Sequence, residues 1–400
     1  MSSTQFLSIK DSFSPGLYKK RKRAAVKGQK AEVIYLEEIR SIQEFMRIRE
    51  DWKRLFLKSS KVTPFQSWEW NYAVIKEFTS SEKPKIIAGY NKKNEIVGIA
   101  PFKLSNHAFS SIKILEFIGS GPSDYLDFIV DEEYRLSFSI KVFNFIRNSK
   151  EWNILNLISL KEETRNLVAC FLPVEISSQM VCPCIDLPDT MHEYEKEINK
   201  RELKNIKKQL RKLLPENRLT YVITKSPENL KENINCFMEL HQRRHKSKGE
   251  RGKFCTKTRR ERFLHMSKLL CEAGMLSIEM LKIDSVIASI NFILVLNNKK
   301  YNYLSGMNPV FSQFKPGKLL IYYMVEDAIK KGYKVFDFMQ GDEEYKYFWT
   351  NKEIQLYSAV YSRSRLSFYL WRKLGTLKNQ LYCSSIIKNS YQKFYGLFQF

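Results

Sequence analysis

Residues 300–349 read KYNYLSGMNPVFSQFKPGKLLIYYMVEDAIKKGYKVFDFMQGDEEYKYFW. The opening, with Tyr301 and Tyr303 alternating, has strand character. A loop follows that carries Asn308-Pro309 and Lys315-Pro316-Gly317-Lys318. Residues 319–330 then put Leu319, Leu320, Tyr323, Met324 and Ala328 at helical spacing, and Gly332 stops the helix. Residues 334–339 make a second short strand that runs into a polar cluster, Gln340-Gly341-Asp342-Glu343-Glu344-Tyr345-Lys346. Strand, basic glycine-bearing loop, helix, strand is a βαβ crossover near the minimum length a parallel pair needs.

Such a unit has a defined electrostatic end. The loop before the helix exposes backbone N–H groups at the positive end of the helix dipole, where an anion, usually phosphate, is stabilised. Gly317 permits close backbone approach, and Lys315 and Lys318 add positive charge. Ligands of open α/β sheets sit at the carboxyl ends of strands, so the cluster from Asp337 to Lys346 should flank whatever the loop holds.

Working outward, 400 residues at 44% apolar and 28% charged suffice for a packed core and two or three domains, and exclude a disordered composition. The formal net charge is +24. Much of it lies outside the central chain: residues 1–30 hold eight Lys/Arg against one Asp, and residues 361–400 hold seven Lys/Arg and no acid. A surface of this sign suits nucleic acid, anionic lipid or polyphosphate ligands, or simply solubilises the chain. No run approaches the roughly 18 apolar residues of a spanning helix, and the first residues lack a signal-type apolar core. Seven cysteines without framework spacing read as reduced thiols. The expected setting is the cytoplasm.

Residues 1–30 read as a flexible basic arm. Residues 31–189 read as one α/β domain: a helix over 37–56, a second over 67–78, a hairpin at 86–104 turning on Asn91-Lys92-Lys93-Asn94, a strand over 112–118, a helix over 134–149 and a strand over 153–158. Residues 190–360 repeat the plan, with a hairpin at 275–296 in the place of that at 86–104, which suggests a tandem duplication. A basic helix over 197–214 opens this second domain. Residues 361–400, basic and aromatic, read as a helical tail suited to docking or to a charged surface. Cys182-Pro183-Cys184 lacks a second ligand pair, and His241 and His245, though at i and i+4, lack the intervening glutamate of a zinc-protease helix, so no metal is expected. There is no G-x-S-x-G, Walker loop or dinucleotide glycine fingerprint.

Pro316, Gly317, Leu319, Gly332, Asp337, Phe338, Gly341, Tyr345, Lys346 and Trp349 together resemble the GNAT acetyltransferase superfamily, and more closely its CelD-like branch, which is related to the Fem-type aminoacyltransferases. Trp52-x-x-Leu55, Thr63-Pro64-Phe65-Gln66-Ser67-Trp68-Glu69-Trp70 and Gly98-Ile99-Ala100-Pro101-Phe102 extend the resemblance over residues 35–360. It implies an α/β (α+β) fold of tandem GNAT-like domains, each a mixed twisted sheet flanked by helices, with the active site in the second. It implies acyl transfer from acetyl-CoA to an amine or hydroxyl, the acceptor being a small molecule, a sugar or a polysaccharide precursor.

By position, Lys315, Pro316, Gly317 and Lys318 would hold the donor. Tyr345 would protonate the leaving thiolate, Asp337 or Glu343 would act as base, and Lys346 would complete the catalytic group. Asp124 and Tyr125, in a glycine-rich turn that resembles the family's D-Y-x-D, and His241 and Arg244, at a helix end, would face the acceptor. The superfamily's phosphate loop has the form Q/R-x-x-G-x-G/A, whereas Gln313-Phe314-Lys315-Pro316-Gly317-Lys318 has one glycine. The alternative donor is therefore aminoacyl-tRNA, as in the Fem-type relatives. A third reading is a non-catalytic nucleic-acid- or membrane-binding protein on the same fold.

Overall fold

The computed structural model describes residues 34–106, 110–214, 218–247 and 249–383, so the basic arm over 1–30 and the last part of the aromatic tail lie outside the described residues. The chain begins with β1 (Tyr35–Ile39), α1 (Ile42–Arg47), α2 (Arg49–Lys58), α3 (Trp68–Ile75), the hairpin β2 (Glu82–Tyr90) and β3 (Ile96–Asn106), and β4 (Lys113–Phe117). The short β5 (Ile129–Val130), α4 (Arg135–Asn148), β6 (Ile154–Leu160), α5 (Glu162–Phe171) and β7 (Glu175–Asp186) complete the first half. The second half runs α6 (Met191–Glu197), α7 (Lys200–Leu213), β8 (Leu219–Thr224), α8 (Leu230–Ser247), α9 (Lys257–Glu272), β9 (Leu276–Ile283), β10 (Val286–Leu296) and β11 (Lys299–Met307). It ends with α10 (Pro316–Lys330), β12 (Val335–Asp337), β13 (Glu353–Ser362) and α11 (Arg365–Cys383).

Three boundaries depart from the sequence reading, each for a local reason. The helix expected over 37–56 starts later because Ser41 caps α1 in a capping box with Glu44. The residues before it pair instead as β1 with β2, Tyr35 opposite Tyr90. The basic helix expected over 197–214 starts at Lys200, because the Asn199 side chain accepts the Glu202 N–H and caps α7 there. The expected helix over 319–330 begins three residues earlier, at Pro316.

All strands of the described residues join one sheet in the order β1-β2-β3-β4-β6-β13-β7-β12-β11-β10-β9-β8, with β5 on β3. Two pairs are parallel: β4 with β6, spanned by α4, and β11 with β12, spanned by α10. Each half thus contains one βαβ unit in an otherwise antiparallel setting. The strands that follow these units cross over. β7 leaves the first half to pair with β12, and β13 returns from the second half to lie between β6 and β7.

One apolar core spans both halves. Trp52, Phe65 and Trp70 of the first pack in the same cluster as Phe237, Phe292 and Tyr301 of the second. Phe65 and Trp70 meet Tyr303 edge-on, at 5.8 and 5.5 Å between ring centroids. The Tyr303 hydroxyl donates across the junction to the Pro122 carbonyl at 2.8 Å. Two further cores lie under α4 and under α10.

Candidate active site

The site is set by where α10 begins. Lys315 adopts a left-handed backbone, φ 53°, and caps the helix, and Pro316, without an N–H, takes the first helical position. Gly317 comes next. Its N–H has no backbone acceptor among the described residues, and a Cβ placed there would meet nothing within 4 Å. The first turn contains no acid. An open N–H at the positive end of a 15-residue helix is an anion cradle.

Lys318 lines the same pocket, with its ammonium already engaged. Its ammonium lies 2.7 Å from Glu202 of α7 and 4.1 Å from the Phe348 ring centroid. Lys315, exposed and without an ion pair among the described residues, is the loop cation left for a phosphate.

Lys315 and Gly317 form one end of a pocket of about 320 Å³ whose walls include Arg244, Ser289, Asn291, Ser305 and Tyr345. The strand register explains its floor. Along one face of β10, Val295 and Ile293 pack in the core beneath α10 with Leu320 and Met324. Beyond the start of that helix the same face continues as Asn291 and Ser289, opposite Ser305 and Met307 of β11, and all four line the pocket. Asn291 is buried. Its Nδ2 donates to Asn302 Oδ1 at 2.9 Å, while its own Oδ1 has no partner. Burying an unpaired acceptor costs about 1–3 kcal/mol.

At the far wall, β11 and β12 pair only from Lys299 opposite Val335 to Tyr301 opposite Asp337, and then part. The turn after β12 carries Met339 at φ 64° and Gly341 at φ 129°. Lys346 holds this turn closed. Its buried ammonium donates to the carbonyls of Met339, Gln340 and Gly341 at 3.0, 3.0 and 3.2 Å and pairs with Glu343 at 2.9 Å. Its donors are therefore spent on structure. Burial would raise the Glu343 carboxyl, but the bond and charge of Lys346 outweigh it and leave the pKa lowered, so Glu343 makes a weak base. Tyr345 lines the pocket. Burial, then the Glu343 charge, pushes its phenol up to about 12, so it keeps a proton to give at neutral pH.

Asp337 is fully engaged. It accepts the Tyr125 hydroxyl at 2.7 Å on one oxygen and the Met339 N–H at 2.8 Å on the other, and burial raises its pKa to about 6. Tyr125 is buried too, so its role is to orient Asp337 across the junction. Asp124, beside it in sequence, is only half-buried. One of its oxygens lies 3.4 Å from the Gln340 N–H, and burial, partly offset by Lys253, raises its pKa to about 6. Lys253 reaches solvent, yet the protein around its ammonium, 5.6 Å from the Tyr303 ring, lowers its pKa. Lys161, over the Tyr125 ring at 4.7 Å, is lowered by burial likewise. Asp124 is thus a partly buried carboxylate at the junction of the two halves, under the charge of Lys253. Lys161 and Lys253 carried no motif; their place is set by the packing of the two halves.

His241 is buried behind the pocket wall. Its Nδ1 bonds the Ser305 carbonyl at 2.9 Å, and burial lowers its pKa to about 3, so the ring is neutral and Nδ1–H is the donor. It positions β11, whereas Arg244, one turn on, lines the pocket itself. The rings of His241 and His245 lie 4.3 Å apart, but among the described residues no three His, Cys, Asp or Glu side chains converge as metal ligands.

Residues 200–347 match the family model of the acetyltransferase (GNAT) domain. No curated protein matches the chain. Solved structures of similar fold include FemX, at 11% identity over 84% of this chain and 99% of that one, TM-score 0.57. L-PGS from Bacillus licheniformis aligns at 11% identity over 82% and 95%, TM-score 0.53. A conserved protein of unknown function from Bacteroides thetaiotaomicron aligns at 12% identity over 82% and 99%, TM-score 0.52. At such identities the likeness is one of fold.

Proposed function

We propose that this chain is a GNAT-type acyltransferase related to the Fem-type enzymes, and that it transfers an acyl group, acetyl in the simplest case, from acyl-coenzyme A to an amine or hydroxyl. The observation that carries the reading is the pocket running from the open N–H of Gly317 and the unpaired Lys315 to the protonated Tyr345. Lys315 and Gly317 hold the donor's phosphates. The acceptor approaches from the side of Asp124 and attacks the thioester carbonyl carbon. The new C–N or C–O bond forms as the C–S bond breaks. Asp124 takes the acceptor's proton, Tyr345 gives its own to the departing thiolate, and solvent restores both. Asp337, Tyr125 and Lys346 keep the turn between them in shape. A sugar or polysaccharide precursor fits the acceptor role on the strength of the CelD-like resemblance alone.

One feature supports a second donor. Arg201, Lys204, Lys208 and Arg211 form an exposed row along α7, free of ion pairs among the described residues. α7 joins the donor loop through the Glu202–Lys318 bond. A cationic row leading to a phosphate pocket suits an RNA-borne donor such as aminoacyl-tRNA. On α11, Leu366, Tyr369 and Leu370 are exposed in a segment without acids, which supports contact with an anionic membrane face, measurable by co-sedimentation with phosphatidylglycerol vesicles.

The deciding experiment is free-thiol release from acetyl-CoA against a panel of amines and amino sugars, in competition with aminoacyl-tRNA. Acceptor-dependent thiol release that Tyr345→Phe abolishes supports the reading. Transfer from aminoacyl-tRNA alone favours the second donor. Transfer from neither favours the non-catalytic alternative.

A further inference from the structure

The turn that carries Asp124 is tied to both of the strands that part in the second half. The Tyr303 hydroxyl of β11 donates to the Pro122 carbonyl at 2.8 Å, and the Gln340 N–H, just past β12, lies 3.4 Å from Asp124 Oδ2. The donor pocket is on the α10 side of this parting, at Ser305 and Met307 of β11. On the α9 side, against Tyr303 and Leu304, lies a second cavity of about 30 Å³. Its walls are mostly apolar: Ala73 and Val74 of α3, Phe254, and Phe263 and Met266 of α9. That volume takes about two water-sized groups, enough for a methyl or isopropyl side chain and too little for a ring.

The charged residues of this cavity are unevenly met. Glu77 and Arg262 pair with each other, first half to second. Lys253 has its ammonium 5.6 Å from the Tyr303 ring centroid and forms no ion pair among the described residues. Its backbone is held in place. The Gln242 side chain donates to the Arg251 carbonyl and accepts the Phe254 N–H at 3.1 Å. Between them Gly252 sits at φ 70°, where a Cβ would strike Gln242. The Asp124 charge opposes the effect of burial on Lys253, and the Lys253 charge opposes it on Asp124, yet among the described residues the two do not meet as a salt bridge. A carboxylate and an ammonium that sense each other without touching suit a ligand that carries both charges in the opposite order.

We propose that Lys253 and this cavity form the acceptor subsite, and that the acceptor is an α-amino acid with a short aliphatic side chain. Its carboxylate lies on Lys253, its side chain in the cavity and its amine toward Asp124. The proposal rests on the acyl-transfer reading above, in which Asp124 takes the acceptor's proton, and deepens it by naming the acceptor. Lys253 binds and orients, and the bonds made and broken are those given above. An amino sugar has neither the anion for Lys253 nor the aliphatic branch for the cavity.

The test is thiol release from acetyl-CoA by the full chain with valine, valinamide, glycine, phenylalanine and glucosamine as acceptors. Valine should be used with kcat/KM at least tenfold above valinamide, phenylalanine and glucosamine. Lys253→Met should raise KM for valine about tenfold and erase its advantage over valinamide, as for one lost charge-assisted bond. Ala73→Leu narrows the cavity and should lower the ratio of valine to glycine about tenfold. Each ratio compares two acceptors on one protein, so a loss of folded enzyme cancels. Valinamide or glucosamine used as well as valine, or ratios that either substitution leaves unmoved, would overturn the proposal and leave acyl transfer standing. Thiol release with none of the five would overturn the proposal, and failure to bind acetyl-CoA in the same preparation would overturn the donor reading with it.

Discussion

The two halves of the molecule contain the same βαβ unit and use it differently. In the first, α4 is preceded by Asp131-Glu132-Glu133-Tyr134. Asp131 is paired with Lys58, and Glu132 with Lys61 and Arg135, so the positive helix end is answered by the chain's own carboxylates. In the second, α10 is capped by Lys315 and starts at Pro316, no acid lies in its first turn, and a Cβ on Gly317 would meet nothing. The strand faces differ in the same sense. In the first half a Cβ on Gly98 of β3 would fall 2.5 Å from Phe138, so aromatic rings fill the space against the sheet. In the second, Ser289 and Asn291 of β10 face a pocket of about 320 Å³. A shared fold therefore does not make a shared site. On the proposed reading, the half whose helix end is electrostatically satisfied and whose strand face is packed serves as scaffold.

This contrast can be broken or sharpened by substitution. The largest expected effect is on chemistry: Tyr345→Phe should lower kcat about 100-fold with the melting temperature unchanged, as for loss of a general acid, measured by thiol release. Next is the turn that shapes the second site. Lys346→Met removes a buried ammonium from three carbonyls and should cost about 2–3 kcal/mol by urea denaturation. A matched glycine pair then separates packing from binding. Gly98→Ala should cost about 1–3 kcal/mol of stability and leave donor affinity intact, because the methyl meets Phe138. Gly317→Ala adds a Cβ that meets no protein atom and should do the reverse, weakening the donor about tenfold with stability preserved.

The smallest effect near neutrality is on pH. A base must be ionised to act, and Asp124 is raised to about 6, so kcat/KM should fall as pH drops below that value and level off above it. Asp124→Asn should remove the dependence together with most of the activity. A profile that keeps its step near 6 in that variant would transfer the role to Asp337, which is raised similarly.

The second βαβ unit was legible because its signals are local: alternation in Tyr301 and Tyr303, a helical period from Leu319, Pro316 at its start and Gly332 at its end. The GNAT resemblance followed from the same stretch. What was not legible depends on contacts between distant segments. β13 alternates over Glu353–Ser362, but nothing in that run says that it inserts between β6 and β7. Lys318 reads as a phosphate ligand from its place in the loop, and its pairing with Glu202 follows only from the approach of α7. Lys346 follows the family motif, yet its ammonium is consumed by the backbone of its own turn. Asn291 lies in the run Val286-Ile287-Ala288-Ser289-Ile290-Asn291-Phe292, where a polar residue among apolar ones was the available signal.

The central claim is that the donor site belongs to the second half alone. It is tested most directly by calorimetric titration of acetyl-CoA into the unaltered chain, Lys315→Glu and Glu132→Lys. Saturable binding that Lys315→Glu weakens at least tenfold, with Glu132→Lys unchanged, is the predicted result. Affinity that follows Glu132, or that is indifferent to Lys315, would contradict it.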